Sequence, residues 1–177
     1  MAKLKKFEIW SAVGAIIFGS LLHFVFGWSG NWHPAALIAA VNESTWEHLK
    51  LAFWPAFIFA IVGYYTVGNP PAGGNKNFCF AQMKKLFAMP ILIVILFYGW
   101  LAFFPDNFIY DISIFMIAVI IGHIVAWKLE NDKLPPCKSV SAIMITLLLV
   151  AFSLFTYFPP KNFLFRDPVG GGYGIEK

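Results

Sequence analysis

Charge is what this chain has least of. Of its 177 residues only 12% are charged while 59% are hydrophobic, and the mean hydropathy is +0.71. A water-soluble domain is about a quarter charged, because its surface must be compatible with water. So large a deficit excludes water as the sole solvent of the outside. The two cysteines, Cys79 and Cys137, are too few for a disulfide scaffold. The sequence has no Gly-x-Ser-x-Gly elbow, no His-Glu-x-x-His pair and no phosphate-cradling glycine loop followed by lysine, which excludes the commonest hydrolase and nucleotide-binding signatures. It also has no internal repeat, so an inverted-repeat transporter is not supported. The formal charge of +4 comes from short basic runs between apolar stretches. That distribution fits a chain whose partner is the lipid bilayer, with no nucleic acid.

What the chain has in quantity is long apolar runs. Five of them, about 8–27, 45–67, 86–104, 111–127 and 139–158, are each long enough to cross a hydrocarbon layer of about 30 Å. They show no alternation of apolar and polar residues. Only helices then satisfy every backbone group in lipid, so the expected fold is all-α: a single integral membrane domain over 1–177 with five transmembrane helices. The first run follows Lys3, Lys5 and Lys6 but lacks a cleavage pattern after Gly27, so it reads as an uncleaved span.

Lysine and arginine orient the bundle. With the N-terminus in the cytoplasm, each inner segment carries three: Lys3, Lys5, Lys6; Lys76, Lys84, Lys85; and Lys128, Lys133, Lys138. The outer segments carry only Lys50, Lys161, Arg166 and Lys177. The C-terminus is therefore expected outside the cell membrane. Trp28, Trp32, Trp46, Trp100, Tyr110 and Tyr157 then mark one interface, and Trp10, Tyr64, Tyr65 and Trp127 the other. Both cysteines fall on the inner side, where reduced thiols are expected. The inner segment from Gly68 to Lys85, with Pro70, Pro71, Gly73 and Gly74, reads as a flexible connector.

Polar residues gather in the first outer segment. Pro34 suits a helix start, and Ala35 to Val41 is too short to span, so it is expected as an interfacial or shallow re-entrant helix. Asn42-Glu-Ser-Thr-Trp-Glu-His-Leu-Lys50 follows, with Ser44 and Glu47 at capping-box spacing before the second span. The histidines extend stripes of small residues: Ser11, Ala15, Gly19, His23 on span one, and His48, Ala52, Ala56, Ala60 on span two. Such stripes mark faces where membrane helices approach closely. His23 and His48 therefore point into the bundle at similar depth, about 6 Å from the outer end, near Glu43 and Glu47. His123 lies about 18 Å below the outer surface along span four. It reads either as an interhelical hydrogen-bond donor or as a further, weaker candidate ligand. His33 reads as an interfacial loop residue.

The stretch Asn42 to Lys50 resembles the signature of an uncharacterised family of small prokaryotic polytopic membrane proteins carrying an N-E-S-x-W-E-H-L-K motif. The resemblance extends to the tail, Asp167-Pro168 followed by Tyr173-Gly174-Ile175. It implies an integral membrane protein with Asn42, Glu43, Trp46, Glu47 and His48 as signature residues, and no known activity. A fainter similarity at Trp46-x-His48-Leu49 links the chain to the progestin and adiponectin receptor group, but no residue carries over from it.

Three functions fit this pattern. Imidazole and carboxylate suit a divalent metal such as zinc, so His23, His48, Glu43 and Glu47 are candidate ligands. Whichever glutamate is left over would act as general base, hydrolysing a membrane-associated substrate. A second reading is a proton, ion or small-solute pathway descending from Glu43, Glu47, His48 and His23 to His123. The third is a structural or accessory subunit without catalysis, in which Lys50 or Arg166 pairs with Glu43 or Glu47 to hold the outer turn and the tail.

Overall fold

The computed structural model describes residues 2–68, 77–130 and 138–175. Among them are five helices long and apolar enough to cross a membrane and no β-strand beyond an isolated Arg166–Tyr173 bridge. Helix α1 spans Ala2–Trp28, α2 Thr45–Gly63 with a π turn at Tyr64–Gly68, α3 Phe78–Leu101, α4 Phe108–Glu130 and α5 Lys138–Tyr157. The all-α bundle is as the apolar runs predict.

The helix ends differ in an informative way. Helix α3 begins about two turns before the expected start at Leu86, and α4 runs on past Trp127 to Glu130. Hydropathy stops counting at ionisable residues, whereas the helices continue because those residues are buried against one another. Gln82, Lys85 and Glu130 are all buried, together with Glu8 of α1. The part of the expected connector that holds Pro70, Pro71, Gly73 and Gly74 lies outside the described residues, as does Cys137. Its remainder from Phe78 to Lys85 is the start of α3 rather than a flexible connector.

Helix α1 packs on α2 and α4, and α3 packs on α2, α4 and α5. The core is built from Ala15, Phe53, Ala52, Ala56, Leu86, Met89, Ala118, Val119 and Phe152. Small residues set the spacing, as their stripes predict. A side chain at Gly19 would run into the Leu51 carbonyl oxygen of α2 and the Phe115 ring of α4, so α1 and α2 are in backbone contact one turn before His23. Ile17, Leu21, Ile121, Ile124, Leu147 and Leu154 face outward instead, as surfaces solvated by lipid would.

Between α1 and α2 the chain makes only a 3₁₀ turn, His33–Leu37. The expected interfacial or re-entrant helix is therefore shorter than a helix of either kind. Ala35, Ala36, Ala39 and Ala40 are buried, and the Tyr157 hydroxyl donates to the His33 carbonyl at 2.6 Å. The tail after α5 folds back over this segment. Trp46, expected in an interfacial belt, packs inward against Phe152 at 4.8 Å and the tail's Phe165 at 4.7 Å between ring centroids. Aromatic pairs of this kind add about 0.5–1.5 kcal/mol each beyond area burial.

Candidate metal centre

Each residue from Asn42 to Lys50 has a separate job. The Asn42 side chain donates to the Gly174 carbonyl in the tail at 2.9 Å and accepts from the Ser44 amide at 2.9 Å. Ser44 is the N-cap of α2 and accepts from the Glu47 amide. The reciprocal half of the capping box is not made, because Asn42 takes the Ser44 amide and the Glu47 carboxylate is engaged elsewhere. Thr45 shares a hydrogen bond with Tyr98 of α3 at 3.0 Å. The Trp46 amide donates to the Leu164 carbonyl, and Leu49 enters the core. Glu43 and His48 remain, and they meet His23.

The three form a compact triangle. His48 Nε2 lies 3.3 Å from His23 Nε2 and 3.4 Å from Glu43 Oε2. His23 Nε2 is 3.5 Å from the same carboxylate oxygen. The side chains are about one-third to one-half exposed, so the triangle is reachable from outside the bundle. His48 Nδ1 is 3.0 Å from the Ser44 carbonyl. A carbonyl only accepts, so Nδ1 carries the hydrogen and Nε2 of the neutral ring presents a lone pair to the triangle. Backbone anchoring of this kind orients metal-ligating histidines.

Electrostatics matches this geometry. The hydrogen bond with His48 holds the Glu43 carboxyl below its usual range, outweighing partial burial, which pushes it up; the charge of the two imidazoles adds to the lowering. His48 Nε2 and the Glu43 oxygen are two acceptors this close, so either a hydrogen on His23 Nε2 or a bound cation lies among the three.

Glu47, expected as a ligand or base, lies outside the triangle. Its Oε2 is 2.6 Å from Lys50 Nζ and accepts from the Val41 amide, and its Oε1 accepts from Thr156 of α5 at 2.9 Å. Lys50 donates onward to the Ala36 carbonyl at 2.7 Å and to Thr156 at 2.9 Å. All three side chains are buried. This satisfied network ties α2 and α5 to both ends of the segment 36–41, immediately before Glu43. Its role is to position the loop that carries Glu43.

A cavity of about 510 Å³ opens beside the triangle. His23 and Glu43 line it, with Phe26, Val41 and Ile175 as apolar wall and Asn31, His33, Asn42 and Asp167 as polar wall. Asp167 was not singled out as a site residue from the sequence, although it belongs to the tail motif, which is the signal that could have found it. His33, read as a loop residue, is part of this wall.

His123 is not brought to the triangle. It is buried near Glu8 of α1, its Nε2 3.9 Å from Glu8 Oε2, toward the far end of the bundle. Glu8, Gln82, Lys85 and Glu130 gather there too. Of these only Glu8 falls within an expected span, three residues before Ser11 on the small-residue face of α1, while Gln82, Lys85 and Glu130 fall in the expected inner segments.

The chain belongs to a family of unknown function, DUF6512, whose model matches residues 1–175. No curated protein and no solved structure matches it.

Proposed function

We propose that His23, Glu43 and His48 form a divalent-metal centre, suited to zinc, with a fourth position open to the adjacent cavity. One observation carries this reading: the three donor atoms lie 3.3, 3.4 and 3.5 Å apart. Ligands bonded at about 2.0–2.1 Å around a tetrahedral zinc ion stand roughly 3.3–3.4 Å from one another. Two histidines and a carboxylate with an open position are a catalytic donor set rather than a closed structural one.

The function we infer is hydrolysis of a membrane-associated substrate by a metal-bound water. The cavity supports this, since apolar Phe26, Val41 and Ile175 face polar Asn31 and Asn42 across it. Trp28 and Trp32 are exposed beside it, as at a membrane–water interface. With Glu47 committed to Lys50, we assign the general base to Asp167, the other carboxylate lining the cavity. The basic segments support an N-terminus in the cytoplasm and a C-terminus outside, which puts the centre on the outer face.

Metal content tests the centre. Protein purified in detergent without chelator or affinity tag, measured by elemental mass spectrometry, is expected to hold close to one metal ion per chain and His48→Ala none. No metal in either, even after dialysis against zinc, overturns it. The alternative of a structural cap draws on the Glu47–Lys50–Thr156 network and the Asn42–Gly174 tie. Under that reading metal is absent while both ties still hold the tail.

A further inference from the structure

At the end of the bundle remote from the triangle, three helices close over a second polar cluster. Glu8 comes from α1, Gln82 and Lys85 from α3, and His123 and Glu130 from α4. None is more than 3% exposed. Lys85 Nζ is 3.3 Å from Glu8 Oε2. The Gln82 amide donates to Glu8 Oε1 at 2.8 Å and to Glu130 Oε1 at 2.9 Å, bridging two carboxylates.

Unlike the Lys50 network, this one is incompletely matched. His123 Nδ1 lies 2.9 Å from the Val119 carbonyl, so Nδ1 carries the hydrogen and Nε2 of the neutral ring is a bare acceptor. That atom is buried with no hydrogen-bond partner, and it faces Glu8 Oε2, itself an acceptor, at 3.9 Å. Gln82 Oε1 and Ser11 Oγ, one turn along α1 from Glu8, are likewise buried without a hydrogen-bond partner. Acceptors buried without donors are costly, and ionisable groups inside membrane helices mark function by default.

We propose that Glu8 and His123 form a buried binding site for one exchangeable proton, a site separate from the metal centre. A proton arriving on Nε2 turns the lone pair into a donor aimed at Glu8. The 3.9 Å separation then closes to the roughly 2.7–2.9 Å of a charge-assisted bond, through a side-chain movement of about 1 Å. Loss of the proton restores neutral His123 beside a Glu8 carboxylate held by Lys85. The ionisable groups facing the pair are Lys85 from α3 and Glu130 from α4, with Gln82 between the two carboxyl groups. Lys85 shares Oε2 of Glu8 with the incoming proton, so its ammonium opposes binding and sets its strength. A divalent metal ion on that oxygen would face the same ammonium with twice the charge, which favours a proton over such an ion. Uptake loosens the Lys85–Glu8 contact and tightens that between His123 and Glu8, so α1 exchanges part of its grip on α3 for one on α4.

The test is nuclear magnetic resonance of the intact protein in lipid nanodiscs with isotope-labelled histidine, the His123 signal being identified by its loss in His123→Gln. Between about pH 4 and 9 the His123 ring is expected to pass through one titration. Glu8→Gln is expected to lower the midpoint by at least about one pH unit, tenfold in proton affinity. Lys85→Met is expected to raise it. A ring that keeps one protonation state across the range in the unmodified protein overturns the proposal without recourse to any variant. So does a titration that Glu8→Gln and Lys85→Met both leave in place.

Discussion

His23 Nε2 and His48 Nε2 lie 3.3 Å apart, although one residue sits in the last turns of α1 and the other in the first turn of α2. Two features impose this approach. Gly19 lets α1 meet the Leu51 backbone of α2 one turn away, and the Ser44 carbonyl holds the His48 ring from behind. Glu43 completes the triangle from a loop clamped on both sides.

The clamp makes the first prediction. Replacing Lys50 with Met leaves the Glu47 carboxylate buried and unpaired, which is expected to cost about 3–5 kcal/mol of stability. Adding Glu47→Leu to Lys50→Met removes the unpaired charge and is expected to recover much of the loss. Denaturant unfolding in detergent, followed for the protein, the single variant and the double variant, measures both changes.

Helix spacing makes the second. Gly19→Ala places a methyl group against the Leu51 carbonyl oxygen, and overpacking of this kind costs about 1–3 kcal/mol. The larger consequence is expected at the triangle, where His23 moves off His48. Loss of metal affinity of about 10–100-fold, the range for disturbed supporting contacts, is the expected result of a zinc titration.

Acidity should empty the centre. Metal ligands must be deprotonated. Glu43, whose carboxyl the hydrogen bond with His48 holds below the usual range, stays ionised as the pH falls toward that range. Protons compete with the ion for the imidazole nitrogens and set the loss. Metal affinity is therefore expected to fall steadily as the pH is lowered, which zinc titration at a series of pH values checks. In metal-free protein, the stabilising contribution of Glu43 is present above its unfolded-state pKa and is lost as the pH falls through its lowered folded value. Thermal unfolding against pH, compared with Glu43→Gln, isolates that contribution.

Asp167 separates binding from chemistry. Asp167→Asn keeps the Oδ1 that accepts from the Val169 amide at 2.8 Å but removes the proposed base. Metal content is expected to be unchanged while kcat toward an ester-linked amphiphile falls by about 10²–10⁴, the usual contribution of a positioned base. Metal loss in this variant would move Asp167 from base to ligand or support.

The five helices were legible in the sequence because lipid imposes length and apolarity on every span. The pairing of His23 with His48 was legible too, since small residues at four-residue spacing tell which face of a membrane helix is inward. Ser44 as N-cap followed from the local chain alone. Glu47 was read as a ligand because sequence shows a carboxylate near two histidines. It does not show that Thr156, from α5 and 109 positions away, completes a buried cage with Lys50. Lys85 was counted as a loop cation for the same reason. Hydropathy registers a lysine as a helix end, whereas Glu8, 77 positions away, receives its ammonium inside the bundle. Long-range compensation of buried charge leaves no local pattern, and that is where the sequence reading stopped short.

X-ray absorption at the zinc edge, on protein loaded with one equivalent of zinc, tests the metal centre most directly. The account predicts a four-coordinate shell of nitrogen and oxygen at about 2.0–2.2 Å, with the outer-shell scattering of two imidazoles, and no such shell in His48→Ala, which is expected to hold no zinc. A shell without imidazole scattering, one that His48→Ala leaves intact, or a failure to retain zinc at all would contradict it.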